Sequence, residues 1–117
     1  MLLDVMKIDN WKTQLRKGAA ELAVLSLLKK EPMSGIGLLE YLEPYAEIGL
    51  SEGTLYPLLK RLERDGRIIG EWKLSQNGGR PTKIYMISSD GKAALAAMLT
   101  VWSGFKKNLS EIIGDKS

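Results

Sequence analysis

The sequence predicts a mainly α-helical fold that contains a small β-hairpin and ends in a long helix. Two observations support this prediction. Apolar residues recur at helical spacing up to Gly66 and again after Ser89. Between these regions, from Ile68 onward, the period changes from 3.6 residues to two, which is typical of strands. Proline and glycine residues separate the segments, so we expect several short helices and one hairpin.

The composition suits one folded domain and excludes most catalytic chemistry. The chain has 117 residues, of which 44% are hydrophobic, and it contains neither cysteine nor histidine. Disulfides, catalytic triads and most transition-metal sites therefore lack their residues, and we expect no enzyme activity, metal or cofactor. No apolar run approaches the roughly 20 residues that span a bilayer. No secretion signal is visible at the N-terminus, so we expect no membrane association and a cytoplasmic, nucleoid-associated location.

The first helix is predicted from Trp11 to Lys30, where apolar residues recur on one face. Pro32 ends it, because the residue before a proline avoids the α region. The ten residues at the N-terminus either extend this helix or lie loose. A second helix follows from Gly35 to about Glu43, with Ser34 as its N-cap and Pro44 after its end.

A third helix is predicted between Ser51 and Gly66. Ser51 can cap its start, and Gly66 can adopt the left-handed conformation that ends a helix. Pro57 lacks an N–H group and crowds the carbonyl of Gly53. A later start, capped by Thr54, would put Pro57 in the first turn, so we expect a looser first turn and a regular helix from about Leu55. The apolar stripe recurs at positions i, i+3, i+4 and i+7, and it consists of Leu55, Leu58, Leu59 and Leu62.

The opposite face of this helix is basic, hydroxylated and aromatic, carrying Thr54, Tyr56, Lys60, Arg61 and Arg64. The net charge of the whole chain is +3. All of this excess lies between Ser51 and Tyr85, where seven basic residues (Lys60, Arg61, Arg64, Arg67, Lys73, Arg80 and Lys83) accompany four acidic ones. A concentrated positive charge indicates a polyanion-binding face. The alternative is a solvated helix face, in which Arg61 pairs with Asp65.

The hairpin is predicted from Ile68 to Ile87, with its turn at the residues Gln76-Asn77-Gly78-Gly79. Its tip carries Asn77, Arg80 and Lys83, which suit contacts to a nucleic-acid backbone or minor groove. Three short helices joined by tight turns form a helix-turn-helix, and a hairpin directly after the third helix makes it a winged helix-turn-helix.

The last helix is predicted from a cap at Ser88, Ser89 or Asp90 to about Ile113. Its apolar residues follow alternating steps of three and four: Leu95, Met98, Trp102, Phe105, Leu109 and Ile112. This narrow seam predicts dimerisation through a second copy of the chain. We therefore expect a winged-helix domain over residues 1–88 and a dimerisation helix over residues 89–117. Trp102 is either a purely structural interface residue or part of a hydrophobic pocket for a flat ligand.

Two motifs resemble the PadR family of bacterial transcriptional regulators: L-Y-P-L-L-K-R-L-E-R-D-G at Leu55–Gly66 and G-G-R-P-T-K-I-Y-M-I at Gly78–Ile87. The resemblance covers roughly Gly18 to Ile113, and the single C-terminal helix is similar to that of the small subgroup, which includes multidrug-responsive repressors. It implies a homodimeric winged-helix repressor that binds a pseudo-palindromic operator in double-stranded DNA. Release by a small planar hydrophobic effector is a separate hypothesis, which follows from the pocket alternative at Trp102.

The same resemblance implies DNA contacts by Thr54, Tyr56 and Lys60 on the third helix and by Arg80 and Lys83 on the wing, and the basic, hydroxylated pattern of the residues adds the others. The predicted DNA-binding residues are Ser34, Ser51, Thr54, Tyr56, Lys60, Arg61, Arg64, Arg80 and Lys83. The sequence departs from the family at Ser34-Gly35-Ile36, where a tyrosine-glycine-tyrosine run usually opens the second helix, although Ser34 can still donate to a phosphate. The alternative function is a winged-helix module for protein–protein interaction, because a fold alone does not determine function.

Overall fold

The computed structural model describes residues 2–74 and 78–114, with side chains from Lys7 onward. The elements in chain order are α1 (Leu2–Lys30), β1 (Met33–Ser34), α2 (Gly35–Leu42), α3 (Glu52–Arg64), β2 (Ile68–Lys73), β3 (Thr82–Ile87) and α4 (Ser89–Ile113). The predicted hairpin residues Gln76 and Asn77 lie outside the described residues. Among the described residues, no helix is sufficiently long and apolar to cross a membrane.

The first two helices follow their predicted signals. α1 begins at Leu2, so the N-terminal residues extend the helix, and it ends before Pro32. The Oγ of Ser34 accepts a hydrogen bond of 3.0 Å from the backbone N–H of Gly37, which caps α2 as predicted. α2 therefore starts at a fixed point directly after the two-residue strand β1.

The third helix starts earlier than the sequence predicts. α3 is helical from Glu52, because the backbone N–H groups of Thr54 and Leu55 both donate to the carbonyl of Ser51, at 3.1 and 2.8 Å. The side chain of Ser51 makes no capping bond. Pro57 is tolerated inside the helix because the carbonyl that it leaves without an N–H partner belongs to exposed Gly53, where water can bind.

The strands form a three-stranded antiparallel sheet in the order β1-β3-β2. β2 and β3 are the predicted hairpin, paired from Ile68 opposite Ile87 to Lys73 opposite Thr82. The sequence pattern does not predict β1, in which Met33 pairs with Tyr85. Two residues are too few to show a strand period, so only the tertiary contact with β3 reveals this strand.

The core is built mainly from leucines of all four helices. Leu95 corrects one prediction: it is only 1% exposed and lies in the core of its own chain, so it has no surface to offer a partner. Ser88 caps the N-terminus of α4, because its Oγ accepts a hydrogen bond from the N–H of Gly91. The same hydroxyl donates to the carbonyl of Gly66 at 2.6 Å, which connects α4 to the end of α3. The functional division of the chain at residue 88 stays a prediction.

Candidate nucleic-acid interface

The recognition-type helix α3 presents its charged residues outward. Its four leucines are buried, whereas Thr54, Tyr56, Lys60, Arg61 and Arg64 are not. The four-residue step between Lys60 and Arg64 puts both side chains on the same face of the helix, opposite the core. The Oγ of Ser51 lies 3.4 Å from the Oγ1 of Thr54, so two predicted hydroxyl contacts lie together at the N-terminus of α3.

A shallow cleft of about 540 Å³ joins this helix to the wing, which we define as strands β2 and β3 with their connection. Its lining includes four predicted DNA-binding residues from separate parts of the chain: Ser34, Tyr56, Arg80 and Lys83. The ring of Tyr56 packs directly on Gly35, where an added Cβ would lie 2.6 Å from Cε1 of Tyr56. Tyr56 is therefore both a packing residue and an exposed one, and it connects α3 to the start of α2.

Four of the seven basic residues between Ser51 and Tyr85 form ion pairs within the chain. Arg61 lies 3.6 Å from Glu21, which also pairs with Arg67, so the suggested pair between Arg61 and Asp65 is wrong. The remaining pairs are Arg64 with Asp65 at 3.5 Å and Lys83 with Glu63 at 2.9 Å. Within the described ranges, the three cations without an ion pair are Lys60, Lys73 and Arg80.

These pairs differ in how readily DNA could disrupt them. The side chains of Arg64 and Asp65 are 72% and 46% exposed, and an exposed pair contributes little stability. Lys83 and Glu63 are more enclosed, at 26% and 33%. The hydrogen bond to Glu63 raises the pKa of Lys83, and burial raises the pKa of Tyr85 beside it. Arg64 is thus easily redirected to a phosphate, whereas Lys83 is already held.

The cleft also contains apolar residues that are not among the predicted contacts. Ile36, Trp72 and Pro81 line it, and Trp72 is 69% exposed. The alternating pattern placed Trp72 on the same strand face as buried Ile68, but the wing extends beyond the core before it reaches Trp72. An apolar position several residues past the last buried strand residue is the signal that could have identified it.

A second surface lies between α1 and α4, away from the basic cleft. This apolar groove has a volume of about 990 Å³ and is lined by Leu15, Leu22, Met98, Trp102 and Phe105 among others. The rings of Trp102 and Phe105 are stacked, with centroids 6.0 Å apart. Leu109 and Ile112 continue the same face of α4 and are exposed, outside the groove lining.

Three helices, a hairpin that follows the third helix, and a basic face on that helix define a winged helix-turn-helix protein of the DNA-binding class. The chain belongs to the family described as Transcriptional regulator PadR-like, whose sequence profile matches residues 24–97. This match confirms the resemblance found in the sequence motifs and the winged-helix fold class. The protein is therefore a PadR-like DNA-binding transcriptional regulator.

Similar proteins support the same assignment. The transcriptional regulator Rv3488 of Mycobacterium tuberculosis is 32% identical over 82 residues, which cover 70% of this chain and 74% of that protein. A PadR family transcriptional regulator from Eggerthella lenta is 26% identical, covers 97% of both chains, and superposes with a TM-score of 0.85. A PadR-like transcription factor from Bacteroides fragilis is 35% identical over 88% of this chain and 98% of its own, with a TM-score of 0.72.

Proposed function

We propose that this chain is a repressor that binds a pseudo-palindromic operator as a homodimer and is released by a small planar hydrophobic effector. The single observation that carries the DNA-binding part is the cleft where α2, α3 and the wing meet. It combines a hydroxyl group at Ser34, an aromatic hydroxyl at Tyr56 and a guanidinium at Arg80 next to the outward face of α3. α3 would enter the major groove while the wing contacts the adjacent backbone.

The homodimer is supported by apolar surface that a single chain leaves uncovered. The described N-terminal part of α1 exposes Ile8, Trp11 and Leu15, and the C-terminal half of α4 exposes Phe105 and Ile112. Exposed apolar stripes of this extent indicate an interaction surface. A second copy, related by a two-fold axis, would bury both stripes and would present two α3 helices to one DNA duplex.

The effector would change the distance between the two α3 helices of the dimer. Helix-turn-helix dimers read half-sites about one helical turn apart, roughly 34–36 Å. The groove between α1 and α4 borders the proposed dimer surface, so a flat ligand beside Trp102 would change how α4 packs. A ligand that binds one dimer geometry better than the other shifts the population towards that geometry and away from DNA.

The DNA contacts can be tested by removing the two cations that have no ion pair in the described part of the cleft and of α3. Replacing Lys60 and Arg80 together by glutamine is expected to weaken binding to the DNA upstream of the chain's own gene. The affinity should fall by about 1–3 kcal/mol for each contact to a base that the substitutions remove. The slope of log K against log salt should decrease by about 0.9 for each phosphate that is no longer neutralised. Gel-shift titrations at several salt concentrations measure both quantities.

A matched control removes the same charge elsewhere. Lys92 and Lys107 are exposed on α4, away from the cleft, and their replacement by glutamine should leave the salt slope unchanged. Equal decreases in affinity for the two double variants would show that net charge alone drives the binding. Normal operator binding by the Lys60, Arg80 variant would contradict the assigned contacts and would favour the protein–protein module.

The effector pocket can be tested through tryptophan fluorescence. A variant with Trp11 and Trp72 replaced by phenylalanine retains only Trp102, which lines the groove and stacks on Phe105. A planar cationic dye such as proflavine is expected to quench this emission in a saturable manner, because an aromatic ligand would stack on the exposed indole. In the unmodified chain, Trp102→Ala should abolish dye binding while sedimentation still shows a dimer. Unsaturable quenching, or full binding by Trp102→Ala, would eliminate the pocket.

A further inference from the structure

The partly buried ion pair between Lys83 of the wing and Glu63 of α3 suggests a role for Lys83 other than DNA contact. Its Nζ lies 2.9 Å from the Oε1 of Glu63, which projects from the flank of α3. The two residues are 20 positions apart in the chain and belong to different elements. The pair therefore links the wing strand β3 directly to α3.

The path of the Lys83 side chain depends on the absence of a side chain at Gly70. A Cβ built at Gly70 would overlap the Cε of Lys83, and it would lie 2.9 Å from the Oε2 of Glu63. The aliphatic part of the Lys83 side chain thus runs across the face of β2, in the space that a side chain at Gly70 would fill. Its ammonium also lies 5.9 Å from the ring centroid of Trp72 and 5.4 Å from that of Tyr85. Both rings lie within the range of cation–π attraction and help to hold the charge towards α3.

The backbone pairing of β3 with β1 ends where Ile84 lies opposite Ser34, and the part of the wing beyond it has few other contacts that hold its position. In β2 only Ile68 is buried, and in β3 only Tyr85 is buried. Beyond these positions no described residue of the hairpin is buried, so hydrophobic packing does little to determine the angle between the outer part of the wing and α3. A directed, charge-assisted hydrogen bond at this point can set that angle.

We infer that the ion pair between Lys83 and Glu63, which we call the strut, positions the wing relative to α3 for DNA binding. Gly70 leaves free the space that the side chain of Lys83 occupies. Lys83 is then a positioning residue and not a phosphate contact. This inference rests on the proposed DNA-binding function of the cleft. It predicts that removing the negative charge of Glu63 weakens DNA binding, whereas charge repulsion alone predicts that the same change strengthens it.

The test compares three variants that weaken the strut in different ways: Glu63→Gln removes the charge on the acceptor, Lys83→Met removes the donor, and Gly70→Ala fills the space that the lysine stem occupies. Each is expected to lower the affinity for the upstream DNA by about two- to tenfold, the effect of one net hydrogen bond, with the salt slope unchanged. Gly70→Ala is the sharpest of the three because it changes no charge. The Glu63→Gln, Lys83→Met double variant should be no weaker than either single variant, since both remove the same interaction.

Glu52→Gln is the matched control for charge. Glu52 lies on the same helix, is exposed and has no ion pair among the described residues. Its neutralisation should slightly raise DNA affinity by reducing repulsion of phosphate. If Lys83 instead contacts phosphate, Glu63→Gln will raise affinity as Glu52→Gln does, and Lys83→Met will decrease the salt slope by about 0.9 for each phosphate released. Either result would overturn the strut.

A measurement without DNA separates this inference from the proposed function. With Trp11 and Trp102 replaced by phenylalanine, Trp72 on the wing is the single tryptophan. Glu63→Gln in this background should lower the anisotropy of Trp72, because the wing gains freedom, whereas Glu52→Gln should leave it unchanged. An unaltered anisotropy in Glu63→Gln would refute the strut. Absence of salt-dependent DNA binding by the unmodified chain would refute the proposed function alone.

Discussion

Replacing Phe105 and Ile112 together by glutamate is expected to produce folded single chains that bind operator DNA about 10²- to 10⁴-fold more weakly. Both side chains lie on the outward stripe of α4, 54% and 81% exposed in the single chain, so the substitutions do not disturb the core. Two carboxylates per protomer would have to be desolvated to form the proposed dimer, which is costly without a partner charge. DNA affinity falls because a single chain presents only one α3 helix to the DNA, whereas the dimer presents two.

Sedimentation velocity and operator gel shifts measure the two effects. The matched control places glutamates at Ser103 and Ser110, which are also seven residues apart on α4 and lie on the side of the helix away from Phe105. This control should remain a dimer and retain DNA affinity. A Phe105, Ile112 variant that still sediments as a dimer would show that the stripe on α4 is not the dimer seam.

Gly91→Ala is expected to cause the largest decrease in stability among glycine-to-alanine substitutions in the described helices. Gly91 is buried in the first turn of α4, and an added Cβ would overlap the backbone carbonyl of Arg67 and lie 2.7 Å from Cγ1 of Ile87. Backbone cannot move aside as a flexible side chain can, so we expect a cost of about 3 kcal/mol, at the upper end of the range for overpacking. For a domain of this size, that corresponds to a decrease in Tm of roughly 10–20 °C.

Thermal unfolding followed by circular dichroism tests this expectation. Gly53→Ala is the control, because Gly53 also lies in the first turn of a helix but is exposed, and its added Cβ would meet only the Oγ of Ser51 at 3.9 Å. This variant should be as stable as the unmodified chain or slightly more so. Equal Tm values for the two alanine variants would mean that α4 can shift away from Arg67 at little cost. The tight junction between α4 and the wing would then not be a rigid one.

The order and type of most elements can be predicted from local sequence patterns. Helix periods, the caps at Ser34 and Ser88, the stop at Gly66 and the period change after it all act over a few residues, so they can be read locally. The motifs around Tyr56 and Arg80 also identified the family. The effect of Pro57 predicts too late a start for α3, because the carbonyl that this proline leaves without a partner belongs to Gly53, which is exposed to solvent.

The roles of individual side chains depend on contacts between elements that lie far apart in the chain. Glu21 pairs with Arg61 across 40 positions of sequence, and Glu63 pairs with Lys83 across 20, so a count of charges could not show which cations remain available. Leu95 fits a dimer seam by its spacing but is buried in its own chain, since the same helical period serves a core and an interface equally well. Local patterns specify elements; the partner of a side chain depends on packing between elements far apart in the chain, and no local period encodes that.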